Sequence, residues 1–253
     1  MDIIIGRNTV REAIRAGRTI EVVLVTRGGM DGSLRELVTL ARQRGIVVKE
    51  VPRERLDQLA MPFGYHGRPG NHQGIAAEVS NVRYAELEDV FEYAQQKGEA
   101  PFIVALDGIT DEQNLGAIVR SAEVLGAHGV VVPKRRSASM SAVACKVASG
   151  AEEYIPIVRV TNLAATIDQV KERGVWVAAA DMSGQSAWQT DLTGPLMLVI
   201  GAEGDGVSRI VKERSDYVVK IEQKGKIDSM NAAAAAAVLM YEKQRQEVSG
   251  ASK

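Results

Sequence analysis

Apolar positions along the first 80 residues change period repeatedly. RNTVREAIRAG (residues 7–17) and SLRELVTLARQRG (33–45) place apolar side chains every three or four positions, the spacing of an amphipathic helix. EVVLVT (21–26), VVKEVP (47–52) and GIAAEVS (74–80) are short β-branched runs bounded by charge or glycine, the pattern of strands. The alternation predicts a small α/β unit over residues 1–79. Before its last strand comes MPFGYHGRPGNHQ (61–73), where glycine and proline break any periodicity. That stretch is expected to be a long loop carrying Tyr65, His66, Arg68, Asn71 and His72, and long ordered loops are often functional.

Residues 80–100 are charged, with a helical pattern around ELEDVFEYAQQ, and form the expected linker and boundary. Beyond them the texture changes. FIVALD (102–107), GVVVP (129–133), YIPIVRV (154–160), VWVAAAD (175–181), LMLVIG (196–201) and DYVVKIE (216–222) are six candidate strands, with helical stretches between all but one pair. Nearly continuous Val/Ile runs suit parallel strands buried on both faces, so residues 101–247 are expected to form a layered α/β domain. Residues 248–253 read as a frayed tail.

Composition narrows the function classes. The 253-residue chain is 45% hydrophobic with a formal net charge of −1, enough apolar material for two modest cores and no uniformly basic field. Local clusters of Arg and Lys still leave a polyanion partner open. One cysteine excludes an internal disulfide framework, and three scattered histidines beside it lack metal-ligand spacing, so no metal is implied. The opening MDIIIGRNTVREAIRAG gains Arg, Asn and Glu within a dozen residues, unlike a signal peptide or membrane span; a cytoplasmic location and no membrane partner are expected.

Three stretches combine a strand end, a polar turn and a helix start. In DGITDEQNLGAIVRSAEVLG, a helix beginning near Asn114 puts Leu115, Ile118, Val119, Ala122 and Leu125 on one face and Arg120 roughly opposite. In the bland reading Asn114 is an N-cap and Arg120 a solvated side chain. In LMLVIGAEGDGVSRIV, a buried strand runs into Gly201, Glu203, Gly204 and Gly206, at the sheet edge where open α/β folds bind ligands. A tight turn without ligand is the alternative. In IDSMNAAAAAAVLMYEK, six alanines form a helix whose cap is Ser229 or Asn231. All three stretches lie at strand-to-helix turns of one sheet, and convergence on one edge is the expectation that favours a functional reading.

Taken together, N-L-G-A-I-x-R-S-A at 114–122, I-G-A-E-G-x-G at 200–206 and S-M-N at 229–231 resemble, in order and spacing, the three motifs of the SpoU (TrmH-like) family of RNA ribose 2'-O-methyltransferases. The front unit, with its GNHQGIAAEV ending, resembles the L30e-like substrate-binding domain that accompanies members methylating a guanosine in large-subunit (23S) rRNA. The resemblance implies S-adenosylmethionine as methyl donor, a homodimer, and a catalytic domain whose C-terminal segment is threaded into a trefoil knot, against the general rule that chains are unknotted. It places Gly201, Ile221, Met230 and Ser229 at the donor, and Asn114, Arg120, Glu203 and Asn231 at the reaction. RNA affinity is expected from Arg7, Arg11, His66, Arg68 and the 61–73 loop.

The chain departs from the family pattern at Ile221-Glu222-Gln223, where Ile-Pro-Met is usual, at Met230 in place of Leu, and at Ala233 in place of a second serine. The implied chemistry is in-line methyl transfer to a weakly nucleophilic hydroxyl. A guanidinium keeps its proton in proteins, so Arg120 is expected to bind phosphate or stabilise a developing alkoxide, or to act as base only in an unusual environment. A nucleotide-dependent α/β enzyme is disfavoured, because DGITDEQNLG lacks a phosphate-cradling loop. A tRNA 2'-O-methyltransferase and a non-catalytic RNA-binding or ribosome-assembly protein stand as alternatives.

Overall fold

The computed structural model describes residues 2–65, 67–80, 82–225 and 229–250. The chain divides into two compact units, the first ending at Arg83 and the second beginning at Tyr84.

In the first unit, β1 (Asp2–Ile5), β2 (Ile20–Thr26), β3 (Val47–Val51) and β4 (Ile75–Val79) form a sheet in the order β1-β4-β2-β3. Only β2 and β3 pair in parallel. The sheet is covered on both sides. Val23, Val25, Ile75 and Ala77 face α1 (Arg7–Arg15) and α2 (Gly32–Gln43), where Val10, Ile14, Leu34 and Leu37 complete a core. Val22, Leu24 and Ala76 face the other way, onto Leu56 of α3 (Arg53–Ala60). Double coverage is why β2 reads as an unbroken apolar run instead of alternating.

Strand β1 and helix α3 are additions to the elements expected from periodicity. Four residues are too few to show a period, and β1 is defined by its antiparallel pairing with β4. Helix α3, RERLDQLA, buries only Leu56 and Ala60, a stripe too thin to stand out.

The second unit opens with α4 (Leu87–Lys97), whose Val90 is buried in the main core. Six strands follow: β5 (Phe102–Asp107), β6 (Gly129–Pro133), β7 (Ile157–Val160), β8 (Trp176–Ser186), β9 (Leu196–Gly201) and β10 (Tyr217–Lys220). All pair in parallel, in the order β10-β8-β9-β5-β6-β7. The central strands β5, β6 and β9 are buried except at their last residue, while the edge strands β7 and β10 are half-buried. Intervening helices are α5 (Glu112–Val124), α6 (Ala142–Ala148), α7 (Leu163–Glu172) and α8 (Arg209–Arg214); only β8 and β9 are joined without one.

The alanine helix is α9 (Ala232–Gly250), which packs against α5 and β9. Ala232, Ala236, Leu239 and Met240 are its buried apolar positions, with Glu242 and Lys243 buried beyond them, and methyl-sized side chains let it lie close. Among the described residues no helix is long and apolar enough to cross a membrane, and no group of His, Cys, Asp and Glu is arranged to hold a metal ion.

Candidate active site

Parallel strands bring all their carboxyl ends to one edge of the sheet, and the three polar turns meet there. The first follows β5. Helix α5 is capped by Asp111, whose Oδ1 accepts from Asn114 N at 2.8 Å, so Asn114 is not the cap and its amide is available elsewhere. Its Nδ2 donates to Glu203 Oε1 at 3.1 Å.

The second turn follows β9. Ala202 and Gly206 exchange backbone hydrogen bonds of 3.1 and 2.9 Å, closing a small loop with Glu203, Gly204 and Asp205 at its tip. A Cβ on Gly201 would lie 2.1 Å from the Gly206 carbonyl carbon, so only glycine admits this closure. Asp107, the last residue of β5, accepts from Ser208 N at 2.7 Å and ties the far side of the loop to the neighbouring strand.

The third turn precedes α9. Asn231 is the cap, its Oδ1 accepting from Ala233 N and Ala234 N at 3.0 and 3.2 Å. The same side chain donates through Nδ2 to Asn114 Oδ1 at 2.8 Å and to Glu203 Oε1 at 2.6 Å. Glu203 Oε1 also accepts from Ala232 N at 3.2 Å, placing a carboxylate at the positive end of α9. Asn114, Glu203 and Asn231 thus form one hydrogen-bonded triangle from three segments up to 117 residues apart.

Beside the triangle lies a cavity of about 320 Å³ over β10, β8 and β9. Gly201, Ile221, Ser229 and Met230 all line it. One wall comes from a feature that periodicity did not reveal: β10 pairs with β8 at Ala179 and resumes at Gln185, so residues 180–184 bulge out of the ladder. Where the bulge returns, a Cβ on Gly184 would come within 2.3 Å of Val218 O. The bulge carries Asp181 and Met182 into the cavity wall. Burial pushes the Asp181 carboxyl upward, but hydrogen bonds from Ser183 and Lys212 outweigh it and hold the group below the ordinary carboxylate range.

A second cavity, of about 640 Å³, lies across β9, β5, β6 and β7. Asn114, Glu203 and Gly206 line it from the triangle side, and Arg135 and Arg136 from the loop after β6. Arg120 lines neither cavity. It is exposed on α5, six residues and roughly 9 Å along the axis from Asn114, with its guanidinium 3.4 Å from Ser149 Oγ.

In the first unit, Arg7 is engaged within the fold. Its guanidinium grips Asp31, the cap of α2, at 2.9 and 2.8 Å, and its Nε donates to Gln73 O. Buried His72 accepts from Gly74 N at 2.9 Å through Nδ1, and its other ring nitrogen meets Asp57 at 3.0 Å, which pins the end of the loop. Arg68 is exposed, and Arg11 is half-buried and lies 3.3 Å from Asn8. His66 lies outside the described residues.

A parallel α/β sheet with a ligand-sized cavity and a convergent polar cluster at its carboxyl edge defines the class of small-molecule-binding α/β enzymes. Comparison with known proteins narrows this. Residues 101–241 match the model of the SpoU rRNA Methylase family, and residues 3–85 that of an RNA 2'-O ribose methyltransferase substrate-binding domain. The chain belongs to the SpoU family. It is 41% identical over 242 residues, 95% of this chain and 94% of the relative, to a putative TrmH family tRNA/rRNA methyltransferase, YacO, of Bacillus subtilis. Among solved structures it is similar to the SpoU methyltransferase AviRb from Streptomyces viridochromogenes in complex with the cofactor AdoMet, with a TM-score of 0.61, 27% identity and coverage of 98% of this chain and 91% of that one. An AdoMet-bound rRNA methyltransferase from Sinorhizobium meliloti gives a TM-score of 0.59 at 25% identity, covering 96% and 86%.

Proposed function

We propose that this chain transfers a methyl group from S-adenosylmethionine to the 2'-hydroxyl of a guanosine ribose in large-subunit rRNA. The observation that carries the reading is the Asn114-Glu203-Asn231 triangle, which joins the three family motifs beside a cavity of fitting size and chemistry. Small-molecule sites run from roughly 300 Å³ upward and are mostly apolar with a few placed polar groups. Here Ile200, Val219 and Leu239 supply apolar wall, the 201–206 turn supplies backbone, and Glu203 supplies negative charge near a cationic ligand.

Gly201, Ile221, Ser229 and Met230 hold the donor, which when bound presents an electrophilic methyl on a sulfonium sulfur. Contacts through backbone tolerate Met230 and the Ile221-Glu222-Gln223 departure, because a side-chain change leaves the N–H and C=O in place. Asn114 and Asn231 orient the acceptor hydroxyl, and Glu203 fixes both amides through a single oxygen. Fixed polar groups need no rearrangement as charge develops on the hydroxyl oxygen.

Arg120 completes the site from a second copy of the chain. Its distance from both cavities within one chain supports this, as do exposed Val124, Val238 and Tyr241 on α5 and α9, which suit a homodimer interface. The return of the chain after β10 to the 201–206 turn supports the family's knotted path. In the first unit, Arg11, Arg68 and the 61–73 loop contact RNA, with Arg7 and His72 holding the loop in place.

The test is a map of 2'-O-methyl positions in rRNA and tRNA from a strain lacking the gene and from its parent. Loss of one guanosine methyl in the large-subunit rRNA is expected. Loss in a tRNA instead would move the substrate, and no lost position in any RNA would overturn the activity.

A further inference from the structure

The carboxyl edge of the second sheet is divided in two. The 320 Å³ cavity occupies the ends of β10, β8 and β9, while the 640 Å³ groove occupies the ends of β9, β5, β6 and β7. The partition is the closed loop after β9, since Ala202, Glu203, Asp205 and Gly206 line both. A transfer reaction between two ligands needs this arrangement, with a site for each and reactive groups at their common wall.

The two compartments differ in size and in their cations, Lys220 in the smaller and Arg135 and Arg136 in the larger. The groove is the larger and is lined by Arg135 and Arg136 of the loop that follows β6. Arg135 and Arg136 are exposed, and among the described residues neither makes an ion pair. The groove's carboxylates are engaged: Asp107 accepts from Ser208 N, Asp111 from Asn114 N, and Glu203 from the two amides. Asp205, at the tip of the partition, is the acidic exception. Arg136 also holds a left-handed backbone, φ +55°, uncommon for a residue with a side chain.

We infer that the 640 Å³ groove is the site of the acceptor nucleotide, and that Arg135 and Arg136 bind the phosphates flanking it. This deepens the methyltransferase reading and rests on it. The nucleotide's ribose lies toward Asn114 and Glu203 at the partition, and its phosphodiester links run toward the β6 loop. Guanidinium groups suit that role because they present paired donors to phosphate oxygens. Arg135 and Arg136 act by positioning: they set RNA affinity and register and touch neither the donor nor the transferred methyl.

The test compares full-length wild type with Arg135→Gln/Arg136→Gln and with Arg135→Gln/Arg136→Asn, the latter because Asn tolerates left-handed backbone. Probes are unmodified transcripts of 23S rRNA and a tRNA pool, with methyl-labelled S-adenosylmethionine; donor affinity is measured separately by calorimetry. The expected result is a KM for RNA raised at least tenfold and a shallower salt dependence, by about 0.7 in log–log slope for each phosphate that the variant no longer neutralises on single-stranded RNA. Donor affinity should stay within twofold. Wild-type KM and salt slope in both variants would overturn the assignment while leaving the activity standing, and so would a donor affinity that falls in parallel with RNA affinity. Failure of the wild type to methylate either RNA would instead overturn the methyltransferase reading, and this inference with it.

Discussion

Asn231 serves two purposes through opposite ends of one amide, and substitution separates them. Asn231→Ala removes the cap on α9 and both donations to Asn114 and Glu203. Loss of an N-cap costs about 1 kcal/mol. The triangle adds little to stability because Glu203 is exposed and water replaces the lost donor. For a unit of this size, about 1 kcal/mol is a fall in Tm of roughly 2–4 °C. Asn231→Ser keeps a capping oxygen but is too short to bridge to Asn114 and Glu203, so its stability should stay within about 0.5 kcal/mol of wild type. Turnover should fall in both, about 10- to 100-fold, since both remove the hydrogen bonds that orient the other two residues. Thermal unfolding followed by circular dichroism and single-turnover methyl transfer at saturating donor are the assays. Wild-type turnover in Asn231→Ser would refute the triangle's part in catalysis, and an unchanged Tm in Asn231→Ala would refute the cap.

Arg120→Ala should lower turnover about 100-fold or more with donor affinity unchanged, as expected for one missing electrostatic stabiliser, while Arg120→Lys should retain part of the activity if charge alone matters. A solvated residue would instead leave single-turnover rates at the wild-type level. Gly201→Ala should force the 202–206 loop open and weaken donor binding by at least tenfold in calorimetry; unaltered affinity would show that the loop adapts. His128 is buried, and burial pushes its imidazole below the ordinary value near 6.5 despite the opposing Glu99. Its Nδ1 accepts from Phe102 N at 3.0 Å, a bond available only to the neutral ring. The unfolded chain therefore takes up a proton near pH 6.5 that the folded chain refuses, and stability should fall as pH drops from about 7 toward 5. The Tm profile of His128→Asn should be flatter over that range, and an equally steep profile would exclude His128 as the cause.

Much of the fold was legible because burial on both faces writes continuous apolar runs, and all six strands of the second unit stand where such runs occur. The alanine helix was legible for the same reason in reverse, since small residues mark close packing. Legibility failed where tertiary pairing defines the element. The β8 bulge at 180–184 exists because β10 skips those residues, and VWVAAADMSGQS carries no local sign of it except Gly184. Strand β1 likewise depends on β4. At the site, motif order identified Asn114, Glu203 and Asn231, but their triangle depends on Asp111 taking over the cap, a choice among several acidic and polar residues that spacing leaves open. Arg135 and Arg136 had a signal, three consecutive cations after a buried strand, that gains meaning only once the groove beside them is seen.

The central claim is that this chain methylates a ribose hydroxyl in RNA, and identification of the product nucleoside tests it most directly. Purified protein would be incubated with methyl-labelled S-adenosylmethionine and an unmodified 23S rRNA transcript, and the RNA digested to nucleosides for mass spectrometry. The account predicts label in 2'-O-methylguanosine, resistant at its phosphodiester to alkaline cleavage, and accumulation of that label about 10- to 100-fold more slowly with Asn231→Ser. Label on a base, or donor binding without transfer to the 23S transcript or to a tRNA pool, would contradict it.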